Sequence, residues 1–233
     1  MMAAGRLSRV QQIRVGFEKS ILSAEGLVSD VRKLERVRTS TRQGVLHSKR
    51  VARIAELAFM GMFAAWEEFL EDTFIRYLAG ASDSGPGGPI LKLGKSEDMK
   101  HAYKVLSGKP DFNPEKNTMS WTSPQVVIER AEVFFAGGRP YKQCLAANRS
   151  LLEQAKHIRN RTAHSSDRCR RQFKVAALAL LGKPGARKFT SGFTAGRLLL
   201  TINVQGFGAS TTGQTCFGEY ARLFRKLAGA IVR

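Results

Sequence analysis

Apolar residues recur along this chain mostly at intervals of three and four, the period that lines up side chains on one face of an α-helix. From about Arg6 to Val37 they fall at Val10, Ile13, Phe17, Ile21, Leu27, Val31 and Leu34, with Gly16 and Gly26 as weak points of the predicted helix. Residues 36–42 are polar and read as a connection. A second helix is predicted from near Leu46 to Leu78, ended by Gly80. Its middle, AELAFMGMFAAWEEFLEDTFIRYL, is the most apolar stretch of the chain. Leu57, Met60, Phe63, Trp66, Phe69, Leu70, Phe74 and Leu78 form a wide stripe, and Glu67, Glu68, Glu71 and Asp72 take another side, so the segment reads as the central core helix.

Turn and capping signals divide the remainder. ASDSGPGGP (81–89) is a loop on composition, and a short helix is predicted around Asp98 to Leu106 before a loop containing Pro and Asn. Ser123 followed by Pro124 opens a helix through Phe135 that Gly137 and Gly138 stop. Ser150-Leu-Leu-Glu153 has the form of a capping box, predicting a helix from Leu151 to about Thr162. Ser165 or Ser166 caps another, running through Leu181 to Gly182 and Pro184. Leu198 to Val204 reads as a strand or extended segment, and Glu219 to Val232 as a closing helix. The expectation is a mainly all-α bundle with long core helices and a short β element near the C-terminus. It forms a single domain over 1–233, without internal repeats and with a Gly-rich C-terminal part, 183–233.

Charge changes the picture from fold to partner. Thirty-eight Lys and Arg face nineteen Asp and Glu, a formal net charge of +19 over 233 residues. Such an excess destabilises a compact chain by self-repulsion unless something anionic offsets it. Phosphate backbones are the usual partner, ahead of anionic membrane surfaces. Cys144, Cys169 and Cys216 are odd in number and form no CxxC pair, which argues against a disulfide scaffold or zinc finger and fits a reducing cytoplasm. The start, MMAAGRLSRVQQ, has no apolar signal-peptide core, and no run approaches eighteen apolar residues, so a soluble cytoplasmic protein is expected. The glycines of QGFGASTTGQT lack the Lys-Ser or Lys-Thr of a phosphate-binding loop.

The candidate chemistry lies in Arg159-Asn160-Arg161-Thr162-Ala163-His164, at the junction of two predicted helices. If the helix persists, Asn160 and His164 share a face at i and i+4, with Arg159 about a quarter turn around. One element then offers a permanent cation, an amide and an imidazole. Metal-independent RNA cleavage uses an imidazole to move the 2′-hydroxyl or 5′-oxygen proton, and a guanidinium to hold the phosphate as charge develops. Arg161, Arg168, Arg170 and Arg171, with Lys174, form a basic run that reads either as a solvated face or as an RNA-backbone track. His157 lies seven residues before His164, but His47 and His101 sit in unrelated segments and no second ligand pair appears, so neither metal nor cofactor is expected.

RNRTAH, followed by SSDRCRRQFKV and preceded by the helix AFMGMFAAWEEFLEDTFIRYL, resembles the HEPN superfamily in its Arg-x4-His endoribonuclease form. The resemblance spans roughly Leu46 to Leu181. It implies a helical bundle that forms a homodimer, with the Arg and His of both copies lining one cleft, and RNA cleavage to a 2′,3′-cyclic phosphate and a 5′-hydroxyl. It also implies a role as a toxin–antitoxin or antiviral defence effector, with an antitoxin protein as a further partner. Arg159 would be the phosphate clamp, His164 the acid or base, Asn160 the orienting group, and Glu67 or Glu68 the acidic residue some members carry on the long helix. Two rival expectations stand beside it: a non-catalytic HEPN-like module that binds RNA or protein, and a basic helical protein that binds DNA or a membrane surface. The carboxylates on the long helix read also as its polar face, and the cysteines as ordinary thiols.

Overall fold

In the computed structural model, which describes residues 8–36, 46–83, 89–183, 192–208 and 213–233, local sequence signals set most element ends. Nine α-helices occur among the described residues: α1 (Arg9–Arg36), α2 (Ser48–Leu78), α3 (Met99–Ser107), α4 (Pro124–Phe134), α5 (Tyr141–Ala147), α6 (Arg149–Ala163), α7 (Asp167–Leu180), α8 (Ala195–Leu200) and α9 (Cys216–Ile231). The all-α expectation is met. Helix α1 opens on a reciprocal cap: Ser8 N–H donates to Gln11 Oε1 (2.9 Å) and Gln11 N–H to Ser8 Oγ (3.3 Å). Asp98 caps α3 by accepting the His101 N–H (2.7 Å), and Gly108, left-handed at φ 67°, closes it. The connection 36–42 and the core of the 81–89 loop lie largely outside the described residues.

Three expectations need correction. Ser150 and Glu153 do not form a capping box, because α6 already begins at Arg149, directly after the Asn148 cap of α5. Inside the helix, Ser150 Oγ accepts from Gln154 Nε2 (3.4 Å) and Glu153 pairs with Lys156 (2.6 Å). The expected strand or extended segment from Leu198 to Val204 is helical in its first three residues, which belong to α8, while Thr201 and Val204 are extended. Thr194 caps that helix by accepting the Arg197 N–H, and both Leu198 and Leu199 become buried, which an alternating strand face does not provide. The β character that survives is a one-residue antiparallel bridge, Ile202 to Thr215. Helix α9 starts at Cys216 rather than Glu219, since Thr215 Oγ1 accepts the Gly218 N–H (3.1 Å). Helix α5 had no sequence signal strong enough to announce it.

The chain gathers into two compact units, one of Met1–Glu18, Trp66–Arg149 and Arg225–Arg233, the other of Lys19–Ala65 and Ser150–Phe224. In the first, Phe74 sits among Trp121, Phe135 and Tyr141 at ring-centroid distances of 5.4, 4.9 and 5.0 Å. Thr73 is fully buried on the same helix, and its hydroxyl donates to the Phe69 carbonyl (2.7 Å) while accepting from Tyr141 Oη (3.0 Å). A buried polar pair satisfied this way fixes register without an unpaired group. In the second unit, Phe59 and Phe63 of α2 meet Phe217, Tyr220 and Phe224 of α9 edge-on at 5.4–6.2 Å. Leu152, Ala155 and Ile158 of α6 and Phe173, Ala176, Ala177 and Leu180 of α7 are buried in the same unit.

The glycines separate into two kinds. A Cβ at Gly16 or Gly26 of α1 meets nothing within 4 Å, so these residues only cost the helix backbone entropy. Gly196 is different: its N–H donates to Glu56 Oε1 (2.9 Å), and a Cβ there would stand 2.0 Å from the Ala52 carbonyl oxygen. Gly16→Ala and Gly26→Ala are expected to raise unfolding free energy by about 0.5–1 kcal/mol each. Gly196→Ala is expected to lower it by about 1–3 kcal/mol. Urea denaturation of the three variants checks both signs.

Candidate functional site

Residues 159–164 form the last turn of α6 and the residue just beyond it. Because Leu152, Ala155 and Ile158 turn inward, Arg159 and Asn160 lie half-buried on the flank, whereas every residue from Ala163 to Arg168 is exposed. Arg159 Nη1 donates to Asn160 Oδ1 (3.2 Å), so the guanidinium and the amide of the motif are held together. The His164 N–H donates to the Asn160 carbonyl (2.9 Å), which extends the helical hydrogen-bond pattern to the histidine and leaves the two residues one turn apart.

The junction to α7 is three residues long, 164–166, and is braced from both sides. Arg161 Nη1 of α6 donates to the His164 carbonyl (3.2 Å), and Arg170 Nε of α7 donates to the Ser165 carbonyl (3.2 Å). Ser166 caps α7 by accepting the Cys169 N–H (3.3 Å). Each brace occupies one of five guanidinium N–H donors, leaving the charge at the surface. Asp167 pairs with Arg170 at 3.4 Å, an exposed pair of small energetic weight. Arg168 and Arg171 are exposed one turn apart on α7, with Lys174 half-buried a further turn along. Arg161, Arg168, Arg170 and Arg171 therefore all lie within seven residues of the exposed His164, near the facing ends of α6 and α7 in sequence. The positive N-terminal end of α7 adds to their field.

The other candidates fall elsewhere. Glu67 and Glu68 belong to the first unit; Glu67 accepts the Thr122 hydroxyl and Glu68 is exposed. Close by in sequence, Glu71 is half-buried, and burial raises its pKa while a hydrogen bond from Tyr103 opposes the rise. Asp72 is raised by burial too, against the attraction of Arg76. Arg130 completes this group: its guanidinium lies 4.8 Å from the Trp121 ring and donates to the Ser120 carbonyl (2.7 Å). Sequence reading took these carboxylates as one helix face and missed Tyr103, Trp121 and Arg130, which reach them from segments with weak periodicity.

Among the described residues, no three His, Cys, Asp or Glu side chains are grouped to hold a metal ion. All three cysteines are free thiols, and burial pushes Cys144 up to about 11. No helix is long and apolar enough to cross a membrane, counted over the described residues. No family model matches the chain, and no curated protein or solved structure matches it either.

His157, about two turns before the motif ends, is half-buried, and among the described residues its enclosed Nδ1 has no hydrogen-bond partner. Burial lowers its pKa below the ordinary 6.5, neighbouring Lys156 adds to the effect, and Glu153 opposes it. The unfolded chain therefore takes up this proton first as pH falls. The fold keeps its full stability above that ordinary value and loses some of it on acidification through it. His157→Gln should flatten this dependence: between pH 7.5 and 5.5 the wild type is expected to lose more stability than the variant in denaturant titrations. Equal losses would show that His157 protonates as freely folded as unfolded.

Proposed function

We propose that this protein is a metal-independent endoribonuclease of the HEPN type that cuts RNA through Arg159, Asn160 and His164. The observation that carries the reading is the junction itself. An exposed imidazole sits one turn from a joined guanidinium–amide pair, on a backbone braced by two further arginines. Bracing of this kind limits the motion of a catalytic group, and preorganisation is what converts a nearby charge into transition-state stabilisation. The net charge of +19 supplies the long-range attraction to a polyanion.

In this reading the 2′-oxygen attacks phosphorus, the bond from phosphorus to the 5′-oxygen breaks, and a 2′,3′-cyclic phosphate and a 5′-hydroxyl remain. An imidazole takes the 2′-hydroxyl proton and another group returns one to the 5′-oxygen. One histidine cannot hold both positions at once, so a second copy of the chain supplies the partner in a shared cleft of a homodimer. Arg159 holds the phosphate as charge builds, Asn160 sets the guanidinium, and Arg168 and Arg171 track the RNA backbone with Arg161 and Arg170. The biological setting that accompanies this chemistry is a cytoplasmic toxin or antiviral effector restrained by an antitoxin protein.

A binding-only module is the second reading. It is favoured by one observation: among the described residues, no side chain hydrogen-bonds the His164 ring to fix its tautomer. RNA cleavage with excess EDTA separates the two. The nuclease reading expects cleavage by wild type and a fall of about 100-fold or more in His164→Ala, the lower end of the usual contribution of a general acid or base. Arg159→Ala should fall comparably. RNA that is bound but never cut by folded wild type would favour the binding module.

A further inference from the structure

The first unit carries a groove of about 640 Å³ between α5 and the last turns of α9, well away in sequence from the RNRTAH motif. Its volume lies inside the range of roughly 300–1,000 Å³ typical of small-ligand sites. The floor is apolar and made of helix faces: Cys144 and Ala147 from α5, and Leu227, Ala230 and Ile231 from α9. Leu227 and Ile231 are almost fully buried, whereas Ala147 and Ala230 are exposed, so small side chains leave the space open.

The rim carries Arg139, Lys226 and Arg233, and among the described residues none of the three is in an ion pair. Asp83 lies at the same rim, where its Oδ2 accepts the Arg233 N–H (3.1 Å) and lies 3.5 Å from Tyr77 Oη. The C-terminal end of α9 would ordinarily present bare carbonyls and repel an anion. Here the Ile231 carbonyl accepts from Tyr77 Oη (3.1 Å), and just beyond the helix Val232 accepts from Arg14 Nη1 (3.0 Å) and Arg233 from Gln11 Nε2 (3.1 Å), all within the same unit. Arg139 and Lys226, a guanidinium and an ammonium outside any ion pair among the described residues, suit a phosphate group, since arginine matches its oxygens in pairs and lysine adds a point charge. Gln143 and the carbonyl oxygen of Asn148, whose Nδ2 donates to the Cys144 carbonyl (2.8 Å), offer donors and acceptors for the edge of a ring lying on the apolar floor.

We propose that this groove binds a small phosphorylated ligand of mononucleotide size, with the phosphate at Arg139 and Lys226 and the ring on Leu227, Ala230 and Ile231. The site shares no residue with the proposed nuclease motif and stands or falls without it. Isothermal titration calorimetry at low salt tests it on the full chain, using the four ribonucleoside 5′-monophosphates, the matching nucleosides and inorganic phosphate. The expected result is saturable binding of at least one monophosphate, tighter than both its nucleoside and inorganic phosphate. Arg139→Glu combined with Lys226→Glu should weaken it about tenfold or more. Ala147→Trp, which fills the groove at an exposed position and leaves the charge unchanged, should do the same while thermal melting shows the fold intact. Arg159→Ala should leave binding unchanged. The proposal is overturned if no monophosphate binds, if inorganic phosphate binds as tightly, or if the groove variants bind like wild type. It is equally overturned if Arg159→Ala abolishes binding, which would place the nucleotide at the motif.

Discussion

Helix α2 is the element on which the rest of the structure depends. Its apolar residues recur along its whole length, and successive stretches of the helix recruit different partners. Phe59 and Phe63 enter the core that α9 completes with Phe217, Tyr220 and Phe224. Trp66, Phe69 and Phe74 enter the core that Phe17, Trp121, Phe135 and Tyr141 complete. With the apolar circumference so committed, carboxylates on this helix become half-buried, which is why Glu71 and Asp72 are raised by desolvation and why Tyr103 and Arg130 gather around Glu71. Loss of a ring as central as Phe74 would cost about 3–5 kcal/mol, a large part of a domain's stability.

Positive charge follows a different logic. Among the described residues no Lys or Arg is fully buried, and some of them do structural work. Arg161 and Arg170 brace the backbone between α6 and α7, and Arg14 satisfies the end of α9. Guanidiniums suit this role because a single N–H donor can hold a carbonyl while the delocalised charge stays available to an anion. The same residues can thus rigidify a junction and contribute to a field that draws in phosphate. That double use links the fold to the proposed chemistry at His164.

What was legible in the sequence was what depends on local order. The period of Val10, Phe17, Ile21 and Val31, the Ser165-Ser166 capping signal, and the Gly80 stop are short-range signals, and α1, α2 and α7 follow them. Capping patterns misled where a neighbouring helix took over the end, as at Ser150, and β-rich composition misled at Leu198, where Thr194 and the close approach of Gly196 to Ala52 favour a helical turn. The Arg159–Asn160 pairing follows from adjacency, but the braces from Arg161 and Arg170 depend on the path between two helices. The groove between α5 and α9 was invisible because its walls are nearly 80 residues apart and α5 has only seven residues.

The central claim is that the 2′-hydroxyl of RNA is the nucleophile and that residues of this chain activate it. The most direct test is a defined RNA cut by the protein in EDTA, compared with the same strand carrying a single 2′-deoxy substitution at the cleaved nucleotide, with product ends read by mass spectrometry. The account predicts a 2′,3′-cyclic phosphate from the RNA and no cut at the deoxy position. Cutting at the deoxy position, or a product ending in a 5′-phosphate, would contradict it.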